Sequence, residues 1–266
     1  MLASLPMYDL PEVTAATDTW WSGVASALQR AGLDAVPEAL TRDPDVDVWY
    51  SKELLLSQTC GYTLTHALAG AVALVATPAY SADGCSGADY CSLIVVADDN
   101  PAADLEDLRG AVCAYSRPHS HSGYNALRAA VAPLAGGAAF FSRVVESGGH
   151  PVSIELVATG TADVCAVDCV THALMAKYRP DALAGTRVLG ATEHAPGLPF
   201  VTRAGVDEDY LRCLRDGLNE AFADPRLADV RDTLMLTGVQ VLDYDAYQRI
   251  DDMEDSAHAA GYAEIH

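Results

Sequence analysis

The stretch Tyr115-Ser116-Arg117-Pro118-His119-Ser120-His121-Ser122-Gly123-Tyr124-Asn125 holds the densest set of residues able to do chemistry in this chain. It follows a strand-like run, Ala111 to Tyr115, and opens a helix whose apolar residues fall at Tyr124, Leu127, Val131 and Leu134. The first-turn amides of a helix have no partner within the helix, and the helix dipole adds positive potential there. An anion is therefore held at such a point by backbone N–H groups alone. Ser120 and Ser122 add hydroxyl donors, and Gly123 lets a ligand approach the main chain. Serine is equally an ordinary helix cap, and the sequence leaves both readings of Ser120 open.

Other polar residues carry weaker signals. His119 and His121 could both face one metal ion, but no third ligand lies near them in sequence, so no metal is expected. His150 stands at a helix start, where it either caps and packs or contacts a ligand. Asp168 follows the apolar strand Val164 to Val167, at the strand end where open α/β sheets bind ligands. Capping the next helix is a compatible role for it. Glu146, at another strand end, is a lesser candidate for a ligand amine. The chain lacks GxxxxGK[ST], GxGxxG after a strand, and GxSxG. No nucleophile–base pair is declared by spacing, and no cofactor is implied.

The elements that must position these residues alternate between strand and helix patterns, the mark of an α/β protein. The spacing predicts a strand near residues 3–8, then a helix opened by the capping box Asp9-x-x-Glu12 and ended by Gly32. Strands follow at 54–56, 71–75, 92–97, 111–115, 140–145, 164–167, 186–189 and 200–202, with a short helix from about Tyr62. Helices are predicted from Gly123 to a stop at Pro133, near 152–159, and at 170–178. From Asp207 the pattern becomes helix after helix, broken at Asp224-Pro225. These C-terminal helices are expected to pack back on a first lobe of residues 1–96 plus 200–266. Residues 97–199 would form a second lobe, and a cleft between two such lobes suits a small molecule.

Composition sets the outer limits. The chain has 266 residues, half of them hydrophobic, with 16 Lys+Arg against 37 Asp+Glu for a net charge of −21. That charge repels nucleic acid and anionic lipid, so neither is an expected partner. A local dipole with neutral donors can still hold an anion. No apolar run approaches the ~20 residues of a membrane span, so no membrane insertion is expected. Met1 is not followed by a basic region and an apolar core. As the sequence stands a cytoplasmic location is expected, or a periplasmic one if an export signal was trimmed. The seven cysteines contain no CxxC pair and are expected to be mostly buried free thiols, with Cys85 and Cys91 able to pair in an oxidising compartment.

The chain resembles the phosphate/phosphonate-binding proteins of ABC transporters, within the type 2 periplasmic-binding-protein fold. That family's anion loop reads Ser-Thr-Ser-Gly-Tyr, and Ser120-His121-Ser122-Gly123-Tyr124 matches it with His121 in place of Thr. A second family signature is matched by Ser147-Gly148-Gly149-His150 through Gly160-Thr161-Ala162-Asp163-Val164-Cys165-Ala166-Val167-Asp168. Softer matches are Leu56 to Tyr62, Tyr90 to Val96, Pro196 to Val201 and Gly238 to Tyr247. The resemblance implies a two-lobed α/β solute-binding protein that closes on a phosphate, phosphonate or related oxyanion and delivers it to an ABC permease. Carried over by position, Ser120, His121, Ser122 and Gly123 would bind the phosphoryl oxygens. Tyr8, Gln58, Thr59 and Tyr62 would come from the first lobe, and His150 and Asp168 from the second. Asp168 would meet a ligand amine or a protonated oxygen. A donating His121 would tighten binding as pH falls between 8 and 5. Two alternatives stand beside this reading: a cytoplasmic enzyme on the same fold, similar to menaquinone- or thiamin-pathway enzymes, and an intracellular anion sensor.

Overall fold

The computed structural model describes residues 1–43 and 45–266. The strands are β1 (Leu2–Ser4), β2 (Leu54–Gln58), β3 (Val72–Tyr80), β4 (Asp89–Tyr90), β5 (Ser92–Ala97) and β6 (Val112–Tyr115). They continue as β7 (Arg143–Glu146), β8 (Val164–Asp168), β9 (Thr186–Ala191), β10 (Ala195–Pro196), β11 (Phe200–Arg203) and β12 (Leu236–Gln240). The helices are α1 (Thr14–Arg30), α2 (Gly61–Thr65), α3 (Ala126–Ala135) and α4 (His150–Ala158). After them come α5 (Cys169–Tyr178), α6 (Glu208–Ala223), α7 (Ala228–Thr233) and α8 (Gln248–Ala259).

Contacts divide the chain into two compact units. The first comprises residues 1–81, 86–88 and 196–246; the second comprises 82–85, 89–195 and 247–266. Two expected boundaries need correction. β5 belongs to the second unit, because it pairs along its length with β8 and with β9. The last helix does not return to the first unit: Ala257, Tyr262 and Ile265 are buried in the same apolar cluster as Leu127, Val131 and Phe140.

The first unit is built on a five-stranded sheet in the order β1-β2-β11-β3-β12. β1 runs parallel to β2, while β11 is antiparallel to both β2 and β3. The carboxyl ends of β2 and β3 therefore share one edge, which carries Gln58 and Tyr80. α1 buries Trp20, Trp21, Val24 and Leu28, and Trp20 meets Phe222 of α6 edge to face at 4.8 Å. The capping box does not open α1. That helix begins at Thr14 without a side-chain cap, since the Asp9 carboxylate takes Arg42 instead, at 2.5 Å. β12 is a strand where the helical pattern was expected to continue, and it pairs antiparallel with β3.

The second unit holds another five-stranded sheet, β7-β6-β8-β5-β9. Its strands β7, β6 and β8 are mutually parallel, so all three end at one edge. Phe140 and Phe141 precede β7 rather than forming part of it, stacking edge to face and sinking into the core. Pro133 lies inside α3 and does not end it; the helix runs to Gly136, whose φ of +61° makes the left-handed stop.

Candidate functional site

The common edge of β7, β6 and β8 gathers the sequence-predicted residues of the second unit. Beyond β6, the chain turns through Ser116 to Ser120 and enters a π-helical turn, His121–Asn125, which continues into α3. The wide turn is closed by the Asn125 N–H donating to the Ser120 carbonyl at 3.0 Å. Beyond β7, Ser147 to Gly149 lead to His150, the first residue of α4. The Ser147 N–H donates to the Tyr115 carbonyl and the Gly148 N–H to the Ser116 carbonyl, both at 2.8 Å, tying the two turns together. β8 ends in Asp168, which starts α5.

Ser120 does cap: its Oγ accepts from the Gly123 N–H at 3.0 Å. An accepting hydroxyl keeps its own proton, so the cap leaves one O–H donor for a ligand. Ser122 Oγ lies 3.0 Å from His150 Nε2, a contact between residues 28 apart in sequence. Asp168 is 2% exposed, and its Oδ1 accepts from the Val170 and Thr171 N–H groups at 2.8 and 3.0 Å. The capping role is therefore realised for Asp168 as well.

His121 is also 2% exposed. Burial pulls its pKa down to about 3, so the ring is neutral across pH 5–8. This overturns the expectation that binding tightens in that range by protonation of His121. Its Nδ1 faces the Asn125 side-chain amide at 3.2 Å. The Asn125 Oδ1 accepts from Arg128 at 2.6 Å, and arginine has no acceptor atom. Asn125 must then present its NH₂ to His121 Nδ1, which places the imidazole proton on Nε2. His150 is half-buried as a residue, yet its ring lies under Gly123, and desolvation draws its pKa down to about 4 against the opposing pull of the Ala166 backbone.

Sequence reading missed Asn125 and Arg128 as parts of this site, and it missed Ser116. The Ser116 hydroxyl is buried without a hydrogen-bond partner, and Gly123 explains why it fits. A Cβ at position 123 would stand 1.9 Å from Ser116 Oγ, 2.7 Å from Ser116 Cβ and 3.2 Å from His150 Cε1. Gly123→Ala is expected to cost about 1–3 kcal/mol through this overpacking, lowering the melting temperature by several degrees. Ser116→Gly in the same chain should restore part of the loss; a Gly123→Ala protein that melts like the parent would show that the turn opens freely.

The first unit places Tyr8 and Gln58 together around a small cavity of about 40 Å³, also lined by Asp9, Trp20, Tyr80 and Phe200. The Tyr8 and Tyr80 rings meet edge to face at 5.1 Å, and Gln58 Nε2 donates to Tyr80 Oη at 3.1 Å and to the Leu198 carbonyl at 2.9 Å. Thr59 is fully buried; its N–H donates to the Pro199 carbonyl at 3.1 Å, and its hydroxyl has no partner. Tyr62, in α2, stacks on His66 and is not among the cavity residues. His119 is exposed while His121 is buried, so they occupy different surroundings.

Residues 52–247 match the family model described as ABC transporter, phosphonate, periplasmic substrate-binding protein. No curated protein matches the chain. Among solved structures, a binding protein component of an ABC phosphonate transporter from Pseudomonas aeruginosa superposes with a TM-score of 0.75 at 19% identity, over 98% of this chain and 87% of that one. A Prochlorococcus marinus protein in complex with methylphosphonate gives 0.73 at 13% identity, over 97% and 98%. A Xanthomonas citri protein bound to chloride ion gives 0.73 at 17% identity, over 98% of both chains. At these identities the likeness shows the fold, that of the two-lobed periplasmic binding proteins.

Proposed function

This chain belongs to the periplasmic substrate-binding proteins of phosphonate ABC transporters, and from that premise we propose that it binds a phosphonate, phosphate or closely related oxyanion at the start of the π-helical turn. The observation that carries the reading is the convergence of Ser120, His121, Ser122 and His150 at the common end of β6 and β7. The rings are neutral, so these groups can meet an anion with hydroxyls and dipoles without bringing a charge of their own. A negative ligand is then held by dipoles and hydroxyls, which suits a molecule whose net charge is −21.

In this reading Ser120 donates its O–H, and His121 lies beside it with a neutral ring. The bond between His150 Nε2 and Ser122 Oγ uses one proton; with the ring as its donor, the Ser122 hydroxyl keeps its own proton for the anion. Asp168, at the end of β8, stands where the family resemblance sets it against a ligand ammonium or a protonated phosphoryl oxygen. Tyr8, Gln58, Thr59 and Tyr62 complete the reading from the first unit, with the two lobes closing on the ligand and an ABC permease receiving it. A function in uptake favours the periplasmic location over the cytoplasmic one; cell fractionation decides between them.

Catalysis is the less favoured alternative. Ser122 and His150 have the spacing of a nucleophile and its base, but a base with a pKa near 4 is poorly matched to removing a serine proton at neutral pH. No observation favours an intracellular sensor.

Thermal unfolding with methylphosphonate, 2-aminoethylphosphonate, phosphate, sulfate and simple carboxylates tests the reading. A true ligand at a hundred times its dissociation constant should add about 2.7 kcal/mol. Ser122→Ala should weaken that ligand by about 10- to 100-fold, the value of a hydrogen bond to a charged group. Stabilisation by a carboxylate but by no phosphorus oxyanion would overturn the proposal.

A further inference from the structure

Three of the seven cysteines meet in the second unit: Cys85 and Cys91 from one stretch of chain, and Cys169 from 84 positions beyond Cys85. Cys85 Sγ lies 3.5 Å from Cys169 Sγ, and Cys169, together with burial, pushes up the pKa of the neighbouring Cys91 thiol. The Cys169 N–H donates to the Cys91 carbonyl at 3.1 Å, continuing the antiparallel register in which Ser92 faces Asp168. Gly84 makes the approach of Cys85 possible. Its φ is +96°, and a Cβ there would stand 2.8 Å from Cys91 Sγ and 3.0 Å from Cys169 Cβ. Cys91 and Cys169 are buried, whereas Cys85 keeps some exposure. All three are free thiols here.

We propose that Cys85 and Cys169 form a reversible disulfide, a modification site that staples residues 82–85 to the start of α5. The sequence offers Cys85 with Cys91 as a pair only in an oxidising compartment; the tertiary fold brings Cys85 against Cys169 instead. Closing the bond requires the two sulfurs to move ~1.5 Å nearer, from contact to covalent distance. The electron acceptor is a small disulfide such as oxidised glutathione. The Cys85 thiolate, as the exposed member, attacks one sulfur of it and displaces a glutathione thiolate that carries away the bonding pair. Cys169, losing its proton to solvent, then attacks Cys85 Sγ in the mixed disulfide and expels the second glutathione thiolate. Two protein thiols are oxidised, and one small disulfide is reduced to two thiols. In the resting reduced state Cys169 stays protonated, because contact with Cys85 and burial raise its pKa to about 12. The segment so fixed is a short excursion: the chain leaves the first unit after Ser81 and re-enters it at Ser86.

The test is thiol counting in denaturant after incubating the whole native protein with oxidised glutathione, followed by peptide mapping. The count should fall from the seven cysteines of the reduced chain by two, with Cys85 and Cys169 in one linked peptide, and dithiothreitol should restore it. Cys85→Ser, at a partly exposed position that leaves the core untouched, should abolish the loss, whereas Cys91→Ser should not. A constant thiol count, a mapped bond from Cys91 to either other cysteine, or undiminished loss in Cys85→Ser would each overturn the proposal.

Discussion

Lowering the pH from 6.5 to about 4.5 is expected to remove about 5 kcal/mol of folding stability at most, through two rings, His121 and His150. Their folded pKa values lie near 3 and 4, in both cases because burial disfavours the charged ring. The ordinary value in the unfolded chain is about 6.5. Between these limits the unfolded chain binds more protons than the folded one, so stability rises with pH. The contribution is complete above about pH 6.5 and is lost as pH falls toward the folded values. Each ring loses about 1.4 kcal/mol per pH unit in that window. His172, whose pKa burial also lowers, acts in the same direction.

The overall charge works against this loss. The net −21 at neutral pH shrinks toward zero near the isoelectric point of 4.4, which relaxes self-repulsion. A fall in stability over pH 6.5–4.5 therefore reports the buried rings and not the surface. Urea midpoints measured every half unit of pH decide the matter. His121→Gln should remove about half of the slope, whatever it does to stability at pH 7. A midpoint that is level or rises on acidification would mean that both rings are already solvated.

Much of the site was legible because its signals are local. Ser120 as a cap, Gly123 beside it, and Asp168 at a strand end all depend on residues within a few positions. The apolar positions of α3 follow from helical periodicity alone. What escaped reading depends on partners distant along the chain. β12 is a strand because β3, over 150 residues earlier, offers it an open edge. Residues 247–266 belong to the second unit because Tyr262 and Ile265 complete a core begun at Ile94. No local pattern announces that Cys169 sits beside Cys85, or that Asn125 holds His121 in one tautomer. The last of these rests on a buried arginine and on the Ile250 carbonyl of α8.

Replacing that arginine, Arg128→Met, is expected to destabilise the protein by about 3–5 kcal/mol, the cost of leaving a buried charge without its partner. Arg128 is 3% exposed. Its guanidinium donates to the Ala263 carbonyl at 2.7 Å, to Asn125 Oδ1 at 2.6 Å and to Glu254 Oε1 at 2.8 Å, and it lies 5.5 Å from the centre of the Tyr124 ring. One side chain thus ties α3 to α8, to the C-terminal segment and to the π-helical turn. The strand of causes then runs to the anion site: Asn125 is oriented twice, by Arg128 on its Oδ1 and by its NH₂ donating to the Ile250 carbonyl at 3.0 Å, and without Arg128 one of these two restraints on the His121 tautomer is lost. Stability and binding separate the two effects. The double variant Arg128→Met with Glu254→Met should recover much of the lost stability, because the orphaned carboxylate goes with it. It should not fully recover affinity for a phosphorus oxyanion, because Asn125 would still lack one of the two contacts that fix the tautomer of His121. If the double variant is as unstable as the sum of its parts, the ion pair is not what the arginine provides; if it binds like the parent, Asn125 does not need the arginine to orient it.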